Sequence, residues 1–559
     1  MNDSPATPAP ATAAEPISPW RPLGHAVFRA LWIAGLVSDI GAWMHDVGES
    51  WLMTSLSVSP LHVALLQSAD SFAMFIFALP AGALADVVDR RRVAIWTQAW
   101  LLVGAALLGV LTVTHHMTPW RLIGLSFVMG IGAAFDGPVW QAIVSEVVPR
   151  KELPAAITLG GLSFNLARAA GPAMGGLVVA AAGPFAVFLL NALTFAYGIV
   201  VLLRWRRAPA RTNAPAERWL GAMQSGLRFV RNSPDLVAIF VRSGLSLFAS
   251  SCLLALLPLF ARRELGLDSL EYGALLGCMG VGSVVSATVV LPRARAKLSP
   301  DAILAVGCVT MGVGLVALSR APDVWLAGAA MFVAGLASMS VVSSLNVAVQ
   351  MASPPWVQAR VLSVHLLVFQ GAVALGSVTW GELAARTSLR AAMVVAAATL
   401  VATLVARVWF RLGGEEHDFS PSMHWPKPML ACDPAADDGP VLVTVAYRVP
   451  AENVKAFLVA AAIFGQSRRR FGAIQWEMFR DPAEPDRFVE VYMVESWGDH
   501  MRQHDRVSVE QEDDEKELHA LLAPGTKPVV THLIAARPPE PDDEEEGRPG
   551  GPRVPAVYT

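Results

Sequence analysis

The acids of the first apolar stretch carry the chemistry that this sequence offers. Asp39, Trp43, Asp46 and Glu49 are spaced by four, three and three residues, so on a 3.6-residue helix they share one stripe. Carboxylates inside an apolar helix are costly against lipid. The stripe therefore predicts a water-accessible pathway whose acids exchange protons or meet a polar solute. Asp70 and Asp136 add acids in the second and fourth apolar stretches. Asp39 and Asp70 lie nearer mid-stretch and are the favoured acids of a polar cavity, in that order. Asp46, Glu49 and Asp136 can also be read as residues near an interface. Asn165 and Arg168 lie in the fifth stretch, and an arginine that deep in an apolar run needs a cavity or a partner. His365, Gln370 and Glu382 in the eleventh are either a matching contribution or ordinary packed and snorkelling side chains.

The elements that position these groups follow from hydropathy. The chain has 559 residues, 54% hydrophobic and 16% charged, against about a quarter charged in soluble proteins; the mean hydropathy is +0.47. A span needs roughly 20 mostly apolar residues to cross ~30 Å of hydrocarbon. Twelve segments qualify: Phe28–Met53, Leu61–Leu84, Val93–Thr114, Leu122–Val144, Pro154–Ala181 and Phe185–Leu203, then Leu236–Phe260, Tyr272–Leu291, Ala302–Leu318, Val324–Met351, Val361–Ala384 and Ala391–Trp409. Open strands would leave unpaired edges in lipid, so these are helices. The fold class is mainly α, a polytopic membrane protein of twelve helices in two sets of six, with an α+β appendix. Arginines and lysines alternate between loops, richest at Arg90–Arg92, Arg150-Lys151, 204–231 and 293–297. This places both termini and the central loop in the cytoplasm.

Residues 1–25 read as a disordered lead-in without an apolar core, not a signal peptide. The two helical sets occupy 26–204 and 236–411, joined by a cytoplasmic loop at 205–235. That loop carries an amphipathic stretch with Trp219, Met223, Leu227 and Val230 at helical spacing. A Pro/Asp-rich linker (412–439) leads to a polar domain at 440–536, and 537–559 are an acidic disordered tail. In the polar domain, strand, helix, two strands, helix (Gly498–Leu522) and strand follow one another, the βαββαβ order of a ferredoxin-like domain. His500 and His504 are four apart on its second helix. No further ligand set with clear spacing accompanies them, so they read as a surface polar cluster rather than a metal site. No cofactor is called for. Cys252, Cys278, Cys308 and Cys432 contain no CxxC pair, and the net charge of −3 does not suggest nucleic acid.

Two motifs carry a family resemblance. Gly82-Ala83-Leu84-Ala85-Asp86-Val87-Val88-Asp89-Arg90-Arg91-Arg92 resembles the loop between spans two and three of major facilitator superfamily transporters. Gly82, Leu84, Ala85, Asp86, Arg90 and Arg91 match, while Asp89 stands where glycine is usual. The resemblance implies a conformational latch, with Asp86 capping a helix or pairing with an arginine. In span five, Gly171-Pro172-x-x-Gly175-Gly176 resembles the antiporter motif of the efflux branch, with Ala167 in place of its first glycine. The glycines allow close helix packing, and Pro172 removes a backbone hydrogen bond. Gly130, Gly132 and the small residues after them fit the family's third motif in part, but Ser126 stands where a basic residue is expected.

From Trp20 to Arg537 the chain is similar to a bacterial efflux subfamily related to the enterobactin exporter. The resemblance implies a proton-coupled exporter of a drug- or siderophore-like small molecule in the bacterial cytoplasmic membrane, working by alternating access. It implies the bilayer, protons and a small-molecule substrate as partners, with dimerisation through the tail domain. The rivals are a membrane-tethered enzyme with a monooxygenase-like tail and a non-transporting sensor.

Overall fold

The computed structural model describes residues 18–87, 89–205, 226–412, 418–426, 428, 430 and 433–536, with the side chains of 82–87 outside the description. Gly82 and Asp86 therefore lie outside the described side chains, as do Trp219, Met223 and Cys432. The chain divides into two compact units, Met1–Glu416 and His417–Thr559.

The first unit is built from twelve long helices. In the first set these are α1 (Ala26–Leu56), α2 (Pro60–Val87), α3 (Arg90–Val113), α4 (Pro119–Val147), α5 (Leu153–Ala182) and α6 (Pro184–Arg204). In the second they are α7 (Pro234–Arg263), α8 (Ser269–Arg295), α9 (Pro300–Ser319), α10 (Val324–Met351), α11 (Gln358–Arg386) and α12 (Leu389–Val408). Eleven are long and apolar enough to cross a membrane. The twelfth, α5, has 30 residues, and its apolar density is diluted by Asn165, Arg168 and its glycines. Starts are set locally. Thr118, Ser299, Asp323 and Ser388 each accept from a backbone N–H of the first turn. Asp268 and Glu271 form a reciprocal capping box at α8, satisfying donors that a helix start otherwise orphans.

The two sets pack alike. In the first, α1 packs on α5 and α6, α2 on α4, and α3 on α4 and α6; in the second, α7 packs on α11 and α12, α8 on α10, and α9 on α10 and α12. The halves meet along two seams that obey the same symmetry, α2 with α11 and α5 with α8. The seams are polar as well as apolar. Ser68 donates to the Ala374 carbonyl (3.0 Å), and Arg262 of α7 reaches Thr54 Oγ1 (3.0 Å) and Ser55 Oγ (2.5 Å) at the end of α1. Trp51 stacks on Tyr272 with centroids 5.6 Å apart.

The second unit has strands β1 (Val441–Arg448), β2 (Gln475–Arg480), β3 (Arg487–Val494) and β4 (Val529–Ile534), with helices α13 (Val454–Arg470), α14 (Trp497–Arg506) and α15 (Val509–His519). The sheet is antiparallel in the order β2-β3-β1-β4, the ferredoxin-like arrangement. Alternate residues of β1 (Val441, Val443, Val445 and Tyr447) are buried against Phe457, Phe464, Phe488 and Tyr492, as a strand with one covered face requires.

Two expectations change here. The single charged helix over Gly498–Leu522 is in fact α14 and α15. Val507 is extended and buried, and Ser508 opens α15 with a capping box to Gln511. The residue types that cap a helix were present mid-segment but outweighed by its charge pattern. His500 is also not a surface residue, being 1% exposed.

Within the second half, α8 and α10 approach at backbone distance. A Cβ on Gly335 would lie 2.0 Å from the Met279 carbonyl oxygen, whereas one on Gly137 would meet nothing. Overpacking costs about 1–3 kcal/mol, so Gly335→Ala is expected to lower the detergent melting temperature while Gly137→Ala leaves it unchanged. Fluorescence-detected size exclusion after heating checks both.

Candidate functional site

The acids gather in the first half, in two groups. In the upper group, nearer the α1–α2 turn, Glu49 is the centre. His45 Nε2 lies 3.1 Å from Glu49 Oε1, and Ser126 of α4 donates its hydroxyl to the same oxygen at 2.8 Å. His45 and Glu49 are one helical turn apart and both buried. Asp70 of α2 is within electrostatic reach of Glu49 and His45, and Asp46 is within reach of Asp70. Close packing brings α2 to this point, since a Cβ on Gly130 would sit 2.9 Å from Asp70 Oδ1. His45 packs edge-on against Phe188 at 4.9 Å.

The second group holds Asp136, which accepts from Thr97 Oγ1 at 2.7 Å and from Gln98 Nε2 at 3.1 Å. Asp39 is in electrostatic reach of Asp136. The structure thus joins Asp46, Glu49 and Asp70, and separately Asp39 and Asp136. Trp43 lies instead against α5, with Phe164 at 6.2 Å.

Asn165 donates to the Gly161 carbonyl of its own helix at 2.8 Å. Arg168 is half-buried, with no hydrogen-bond or ion-pair partner among the described residues. The motif glycines of α5 serve two neighbours. Gly171 and Gly175 face Trp43 and Met44 of α1, whereas Gly176 faces the backbone of Ser269 and Gly273 on α8. At the α2–α3 turn, Asp89 caps α3 by accepting from the Arg92 N–H at 3.0 Å, a task its carboxylate performs where glycine has none. Arg90 pairs with Glu146 of α4 at 2.8 Å, and Arg91 donates to the Leu202 and Leu203 carbonyls at the end of α6.

In the second half, His365 meets Ser243 Oγ at 3.1 Å, Gln370 meets Met74 Sδ at 2.7 Å across the seam, and Glu382 pairs with Arg386 at 2.6 Å. Sequence reasoning missed two features. His45 was signalled by its spacing of four from Glu49. Arg242, 1% exposed, pairs with Asp301 at 2.9 Å, and Arg407 joins the same carboxylate. Those partners lie on three helices far apart in the chain, so no local spacing announces them.

Twelve long helices in two equivalent halves, two seams between them and titratable groups mid-helix define a secondary membrane transporter. The profile of the family described as "Transmembrane secretion effector" matches residues 17–539, and the chain belongs to that family of major facilitator transporters. It is 25% identical over 372 residues to the multidrug efflux pump Tap of Mycolicibacterium fortuitum, covering 64% of this chain and 89% of that protein. It is 25% identical over 306 residues to the enterobactin exporter EntS of Salmonella typhimurium, covering 54% and 72%. With the staphyloferrin A transporter of Staphylococcus aureus it shares 22% identity over 255 residues, 45% of this chain and 64% of that one. Among solved structures, the nucleoside transporter NupG aligns with a TM-score of 0.57 at 13% identity, covering 69% of this chain and all of that one. A bacterial homologue of the lysosomal transporter Spinster, inward-facing and unoccupied, aligns at 0.55 and 14%, covering 70% and 96%. These two likenesses are of fold.

Breaking a buried pair leaves an uncompensated charge and costs about 3–5 kcal/mol. Asp301→Ala is expected to destabilise the transporter to that degree. Arg407→Ala, at a half-exposed side chain, should cost less than about 1 kcal/mol. Melting in detergent, with yield of monodisperse protein, separates the two.

Proposed function

We propose that this protein exports a small organic molecule across the bacterial cytoplasmic membrane in exchange for protons, with both termini in the cytoplasm and transport, not catalysis, as its activity. One observation carries the reading: three carboxylates, Asp46, Glu49 and Asp70, converge with His45 and Ser126 inside the membrane-spanning half. Ionisable groups in that setting mark proton or solute pathways. Glu49 is tied to a histidine and a hydroxyl, so a proton can pass between neighbouring groups without leaving the helices. Asp39, the favoured acid of the sequence reading, forms a second station with Asp136. A proton moving inward gains ~2.3 kcal/mol per 100 mV, which is the drive available for export.

The relatives that carry drugs and siderophores support an exported solute of that kind. The two seams support rocking of one half against the other about a central site. The Arg90–Glu146 and Arg91–α6 ties hold the α2–α3 turn to its own half. Dimerisation through the tail is proposed from the uncovered face of its sheet, where Leu533, Val529 and Phe479 are exposed.

The test begins with untargeted comparison of medium from cells with and without the protein, which names the exported compound. Everted vesicles then measure its uptake under an imposed pH gradient. Glu49→Gln with Asp70→Asn is expected to cut gradient-driven uptake more than tenfold with normal membrane levels. Wild-type uptake with unchanged pH dependence in that double variant would sink the proposal.

A further inference from the structure

The tail domain brings three histidines together. His500 and His504 lie one turn apart on α14, and His532 comes from β4. The β1–β4 register sets His532 opposite Val443. Val443 is fully buried, so His532 points to the face of the sheet that the helices cover. One ring nitrogen from each histidine can be chosen so that all three lie within 4.8 Å of one another. The Nε2 atoms of His500 and His504 are 3.3 Å apart. Two imidazoles on one tetrahedral zinc ion, with bonds of ~2.0–2.1 Å, hold their nitrogens about 3.3 Å apart. Ring centroids are 4.9 Å apart for His500 and His504, and 4.7 Å for His500 and His532.

The surroundings suit a ligand set rather than a salt-bridge network. The Nδ1 atoms of His500 and His504 are buried and meet no well-aligned hydrogen-bond partner among the described residues, with Gln503 beside His500 and the Trp425 backbone beside His504. Among the described residues no carboxylate joins the trio as a further ligand, and two of the acids nearby are engaged elsewhere. Glu490 takes Arg468, the Trp476 indole and the Tyr447 hydroxyl, and Glu515 takes His424 and the Trp425 indole. Asp505 is the acid that acts on His504 from its own helix. Arg468 is the cation facing the trio. It is paired with Glu490 at 3.1 Å and stacked on Trp425, Phe464 and Tyr492. Burial lowers the pKa of all three histidines, that of His500 to about 3. Trp497 packs against His500 and His532, and Trp425 against His504, forming an aromatic wall.

We propose that His500, His504 and His532 bind one divalent transition-metal ion of the zinc type in the tail domain. Three nitrogen donors select borderline ions such as Zn2+ or Co2+ over Mg2+ and Ca2+, which take oxygen. Three protein ligands leave the fourth tetrahedral position for water or an exchangeable ligand, unlike the closed four-ligand sites that only hold a fold together. The site is thus suited to sensing or delivering an ion, separate from the helices that carry the transport chemistry.

The test uses the full-length protein in detergent, purified through a tag without histidines and stripped with a chelator. Co2+ is the probe, because tetrahedral nitrogen ligation produces a visible d–d absorption. One equivalent should give that band in the wild type, and one equivalent of Zn2+ should abolish it. His504→Ala and His532→Ala, both at half-buried positions, should each weaken Co2+ binding more than about 100-fold, beyond the 10–100-fold that outer-shell changes cost. His519→Ala, outside the trio, should bind as the wild type, with near-UV circular dichroism reporting an intact domain in each variant. Absence of the band at one equivalent in the wild type, or wild-type binding by both His504→Ala and His532→Ala, overturns the proposal.

Discussion

The cost of charge in hydrocarbon organises the membrane unit. A carboxylate or guanidinium inside a span survives only against a partner or a water-filled cavity. Several of the intramembrane charges have partners from neighbouring helices. Glu49 is met by His45 and Ser126, Asp136 by Thr97 and Gln98, and Asp301 by Arg242 and Arg407. These partners come from different helices, so satisfying the charges also fixes which helices must touch. The same rule separates two kinds of site. The Arg242–Asp301–Arg407 triad pairs opposite charges. The Asp46–Glu49–Asp70 group instead brings several carboxylates near one histidine, His45.

Close backbone approach is the second constraint. The seam glycines Gly176 and Gly273 put α5 and α8 in direct backbone contact. Small residues at such an interface let the two backbones pack closely. Within each half, Gly335 on Met279 and Gly175 on Met44 bring neighbouring helices equally close.

The tail domain follows soluble rules instead. Its centre is a buried carboxylate, Glu490, that accepts from Arg468, Trp476 and Tyr447. With Glu490 fully buried, these donors make its burial tolerable, and Arg468 in turn is sandwiched by aromatic rings. That network fixes the position of Trp425, which brings the segment preceding the domain onto its surface, where Pro421 bridges Ser508. Part of the stretch that reads as a linker by composition is thus an ordered part of the tail unit.

Much of this was legible in sequence because the governing signals are local. Hydropathy over twenty residues marks a span, alternation marks β1 and β3, and Asp39, Asp46 and Glu49 share a stripe because a helix repeats every 3.6 residues. The family motifs were legible for the same reason, being runs of adjacent residues. The break between α14 and α15 was missed because one capping serine was weighed against a long charged pattern. What no spacing contains is the meeting of residues from separate elements. Ser126 on Glu49, Asp70 beside Asp46, Arg242 on Asp301 and His532 beside His500 depend on how helices and strands pack. The sequence by itself determined the spans, the two halves and the acids; only the tertiary structure decided which acids share a site and which histidines form one, because pairing across elements is set by packing and not by distance along the chain.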